Sequence, residues 1–118
     1  MSATSIEASW IWEEVSPNVF WLKVMAILRD ELGLMLSSKP INIYEATAQA
    51  PDYFSLATTK ITDSTGFISH YFTSGLVEQY PKNFRFDFTG DTSYSPSTSL
   101  ITVEYMVNPP ITCPPGYH

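Results

Sequence analysis

Three phenylalanines, Phe84, Phe86 and Phe88, alternate with Arg85 and Asp87 in the stretch FRFDF, and this period of two constrains the fold more than any other feature of the chain. Side chains on a β-strand point alternately to opposite faces, so the run puts three large rings on one side and two charges on the other. Such a strand needs an apolar layer over its rings. The same period recurs in VFWLKVMAILRD, where Phe20, Leu22, Val24, Ala26 and Leu28 share a face, and in PINIYEA, where Ile41 and Ile43 point away from Asn42 and Tyr44. LITVEYMV sets Ile101, Val103, Tyr105 and Val107 on one side, and SWIWEEV pairs Trp10 with Trp12 as an edge strand.

Turn signals separate these runs. DSTG at 63–66 supplies an aspartate that caps its own turn and a glycine free to take positive φ, which predicts a hairpin joining residues 56–62 to FISHYF. Gly90 and Asp91 close the phenylalanine strand, Tyr94 is placed to fold its ring over the sheet edge, and Pro96 stiffens the entry to the last strand. VMAILRDELGLML also suits a helix by composition, a reading that the alternation before it and Gly33 oppose. The sum is an all-β chain of about seven strands, an antiparallel β-sandwich. It divides into an N-terminal segment or edge strand (1–15), the sandwich (16–107) and a proline-rich tail (108–118), NPPITCPPGYH, which cannot continue a ladder.

Six basic against twelve acidic residues leave a net charge of −6, the wrong sign for gripping phosphate backbones or anionic lipid heads. Neither nucleic acid nor membrane insertion is expected. The opening MSATSIEASW lacks the basic and apolar regions of a secretion signal. Cys113 has no second cysteine to bridge to within the chain, so it is an unreactive tail thiol or half of an intermolecular bridge.

FDFTGDTSYSPSTSLITVEY resembles the closing pattern of bacterial and archaeal Ig-like repeat domains, in which a Phe, Gly-Asp, a Tyr, a small or Pro pair and Ser/Thr lead into the final strand. ILRDELGLMLSSKPINIYEA is similar to their Leu-x-Asp, Gly and Pro-Val-x-Ile-Tyr stretch, and TTKITDSTGFISHYF to their Thr-Asp-x-x-Gly hairpin. The three segments, in order, cover residues 19–107. The resemblance implies an Ig-like sandwich of the kind found in surface adhesins, S-layer-type proteins and virion appendages, hence a virion or extracellular location. His70 stands where the family usually has an aromatic, and the loops 46–55 and 73–83 are long.

With one internal histidine, no Gly-x-Ser-x-Gly and no phosphate loop, the chain is not expected to be an enzyme. In Ig strand order Asp30 with Glu31, Asp63 and Asp91 fall at one end. They are the candidates for a calcium ion, against the plainer expectation that each aspartate caps its own turn and no cofactor is bound. The other end carries Tyr53 and Phe54 in one loop and Leu76, Val77 and Tyr80 in the next. These residues offer a protein-binding surface, aromatic platforms for sugar, or plugs for the core. Trp10 and Trp12 either cover the core or dock the segment 5–15 along a neighbouring chain. The functional expectation is a non-catalytic structural or adhesive subunit that assembles with itself or other proteins in a virion, filament or cell-surface layer. The alternative is a carbohydrate-binding module using the aromatic loops.

Overall fold

A computed structural model of the chain describes residues 2–105. Seven strands follow one another: β1 (Thr4–Ser16), β2 (Val19–Asp30), β3 (Pro40–Ala46), β4 (Ser55–Ile61), β5 (Phe67–Phe72), β6 (Lys82–Phe88) and β7 (Ser97–Val103). They form two antiparallel sheets, ordered β1-β2-β5 and β4-β3-β6-β7. This is an Ig-like β-sandwich. In the antibody constant-type arrangement the fourth strand joins the first sheet; here β4 stays beside β3, leaving a three-stranded layer over a four-stranded one.

The alternation read in the sequence sets the core. Phe84, Phe86 and Phe88 of β6 are buried between β3 and β7 and meet Leu22, Val24, Ala26 and Leu28 of β2 across the sandwich. Ile41 and Ile43 of β3, Ile68 of β5 and Val103 of β7 complete the layer. The β2 alternation runs unbroken to Asp30, so the helical composition of residues 24–36 yields to burial of every second side chain.

One expectation is corrected. DSTG does not close a hairpin: β4 pairs with β3 and β5 pairs with β2, so the turn carries the chain from one sheet to the other. A capped turn reverses a chain but does not choose its pairing partner. Here the choice follows burial, which places Ile68 opposite Ala26 and Phe72 opposite Leu22. Of the two readings of residues 5–15, the structure takes the edge strand of the chain's own sheet. β1 pairs with β2 in the same chain, from Thr4 opposite Asp30 to Ser16 opposite Val19, and its inner side chains Ile6, Ala8, Trp10 and Trp12 pack on the core. Residues 4–15 therefore belong to the sandwich. The other flank of β1 is tied to the β7 side: Thr4 Oγ1 lies 2.8 Å from both Ser95 O and Ser97 Oγ, and Trp12 Nε1 donates to Glu104 O at 3.0 Å.

Candidate interaction surfaces

The strand order brings Asp30, Glu31, Asp63 and Asp91 to one end, as expected, and each aspartate is committed to its own turn. Asp30 Oδ1 accepts from the amides of Leu32 and Leu34. Asp63 Oδ1 accepts from the Thr65 hydroxyl and from the amides of Phe67 and Thr65, bonds that hold its carboxyl below the usual range. Asp91 is lowered in the same way, first by Lys39 at 2.6 Å and then by the amides of Ser93 and Tyr94. Lys39 also lies 5.0 Å from the Tyr94 ring, whose fold-back over the edge packs on the core.

At the opposite end the aromatic residues divide. Tyr80 is corrected from a loop-tip contact to a core residue: it is 8% exposed, its hydroxyl donates to Ser74 O at 3.0 Å, and its ring packs against Trp12 (5.7 Å) and Tyr105 (5.2 Å). Burial, then the negative charges of Glu45 and of the Tyr105 hydroxyl when ionised, push its hydroxyl up to about 12. Trp12 is thus a core cover, and Trp10 packs on the same cluster. Lys82, buried on the inner face of β6, sits 3.9 Å from Glu45 Oε2 and 5.1 Å from the Tyr80 ring. His70 also faces inward, its ring edge-on to Phe72 at 4.7 Å, and burial foremost, with Lys60 second, lowers its pKa against the opposing pull of Glu45.

Tyr53 and Phe54 lead to a surface that the strand pattern alone does not assemble. On the outer face of the four-stranded sheet Tyr44 of β3 stands opposite Arg85 of β6. The loop 47–54 folds over this face, where Pro51 O accepts from Asn83 Nδ2 at 3.2 Å. The Arg85 guanidinium lies between two rings, 4.4 Å from Tyr44 and 5.0 Å from Phe54, while its Nε donates to Asp87 Oδ2 at 3.1 Å. Stacking and one ion pair hold the planar group in place. Two leucines flank it, Leu56 on β4 at 57% and Leu100 on β7 at 62% exposed, and Tyr53 stands out from the loop at 75%. Alternation alone already points Tyr44 and Arg85 away from the core. Their meeting depends on the β3–β6 register, and Leu56 and Leu100 join them only through the sheet order.

Comparison of the chain with models of protein families, with curated proteins and with solved structures found no match in any of the three. Cys113, Val107, His118 and the proline-rich tail lie outside the described residues.

Proposed function

We propose that this chain is a non-catalytic structural or adhesive subunit that binds other proteins, or copies of itself, through the outer face of its four-stranded sheet. The observation that carries the reading is the Arg85 guanidinium held between Tyr44 and Phe54, with Leu56 and Leu100 exposed on either side. Tyrosine and arginine are the residue types that dominate protein interfaces energetically, and an immobilised Arg loses little freedom when a partner covers it. The one internal histidine is turned inward against Phe72, away from this face. Resemblance to Ig-like repeats supports a setting in a virion, filament or cell-surface layer.

A second reading is favoured by Tyr53, whose ring stands largely in solvent beside the same face and offers a platform for a sugar ring. A glycan array together with cross-linking of the native assembly separates the two. The proposed function predicts no saturable glycan binding, and a protein cross-link to the Tyr44–Arg85 face that is lost in Arg85→Ala and in Leu100→Asp. Saturable glycan binding abolished by Tyr53→Ala would overturn it in favour of a carbohydrate-binding module.

A further inference from the structure

The three-stranded sheet ends at β5, one strand short of the sheet it covers. At the other lateral edge of the sandwich, side chains of β1 tie it to the β7 side. β4 carries two features that discourage strand addition: Ala57 is an extra residue between Thr58, opposite Ile43, and Leu56, opposite Tyr44, and Lys60 points inward beside Ile41. β5 has neither. All six of its residues pair regularly with β2, it contains no proline and no Asp, Glu, Lys or Arg, and among the described residues no backbone bond caps its other side within 68–72.

Beside that edge stands an unusual cation. Of the six basic residues, Lys23, Arg29, Lys39, Lys82 and Arg85 each have a carboxylate partner, and Lys60 alone has none among the described residues, in a chain of net charge −6. Lys60 is half-buried on the inner side of β4, close enough to His70 to lower its pKa.

We propose that the β5 edge and Lys60 form a docking site for an extended, acidic segment of a partner protein, which adds a fourth strand to the three-stranded sheet. This rests on the reading of the chain as an assembly subunit and names one contact that it makes. A row of unpaired N–H and C=O groups is satisfied by another extended backbone, and alternate side chains of that backbone point inward over β4. An Asp or Glu among them meets Lys60. The added strand lies on the β4 side of β5, where its inward side chains face Lys60.

The test uses the full-length ¹⁵N-labelled protein and a panel of eight-residue peptides alternating Val and Thr around a single Asp placed at successive positions. A matched panel carries Lys in place of Asp, and a third is N-methylated at alternate amides. The expected result is saturable shifts of the amides of β5 and of Lys60 with an Asp peptide, none with the N-methylated version, and binding about tenfold weaker in Lys60→Glu, which in turn takes the Lys peptide. Lys60→Met, which keeps the stem without the charge, gives equal affinity for both peptides. Arg85→Ala leaves the peptide affinity unchanged, so this site and the outer face of the four-stranded sheet stand or fall separately. Absence of shifts on β5 with every Asp peptide at millimolar concentration, or affinity indifferent to the sign at position 60, overturns the proposal.

Discussion

Phe84 is the residue through which the two layers grip each other. It is fully buried on β6, and its ring packs against Phe72 of β5 at 5.2 Å. Phe84→Ala removes that contact and leaves a cavity, and denaturant titration should show a loss of about 3–5 kcal/mol. Gly66 matters for a different reason. It takes φ +72°, and a Cβ there would stand 2.8 Å from Leu28 O, a backbone atom that cannot step aside. Gly66→Ala should cost about 1–3 kcal/mol by the same measurement. His70 gives a pH signature. Burial sets its folded pKa below the unfolded value of 6.5, so between the two the unfolded chain holds more protons. Stability from this group is complete above pH 6.5 and is lost as pH falls through the folded pKa. Melting curves between pH 7.5 and pH 5 should show a decline that His70→Phe reduces; an identical decline in the variant would assign it to other groups.

At the scale of elements, β1 is the piece whose role the sequence leaves between two readings. Alternation shows that Trp10 and Trp12 share a face, but an edge strand looks the same whether it serves its own sheet or a neighbour's. The register with β2 and the ties to β7 decide the matter. Deleting residues 1–15 should therefore abolish cooperative unfolding, because it strips Ile6, Ala8, Trp10 and Trp12 from the core; circular dichroism and a melting curve check it. The aspartate turns were legible for the opposite reason, since an Asx cap is local and its bonds follow from a few neighbouring residues. With those oxygens already holding amides, millimolar calcium should leave the melting temperature of the chain unchanged, and a rise of several degrees abolished by Asp91→Ala would mark the acidic end as an ion site. The partners of β4 and β5 were not legible, because DSTG states that the chain turns and not which strand it turns onto. Tyr80 reads as a loop aromatic beside Pro81, and only the gap between Trp12 and Tyr105 draws it inside.

For the whole molecule, the inner faces settle the architecture, and the outer ones are where we propose that contacts are made. β2, β3 and β6 could be read from their alternation, and with them the sandwich. The Arg85 stack and the uncovered flank beside β5 required the sheet order, because they join residues distant in sequence. The central claim is that one chain completes its own sandwich, β1 included, and works through the surfaces that remain. Residue-resolved amide exchange on the full chain, from dilute to concentrated solution, tests it most directly. The account predicts that the ladder amides of β1 and β2 are protected to the same degree at every concentration, while the β5 amides that point away from β2 exchange readily. Protection of β1 that appears only on concentration, with the dilute chain exchanging freely from Thr4 to Ser16, would mean that this strand is supplied by a neighbour and would contradict it.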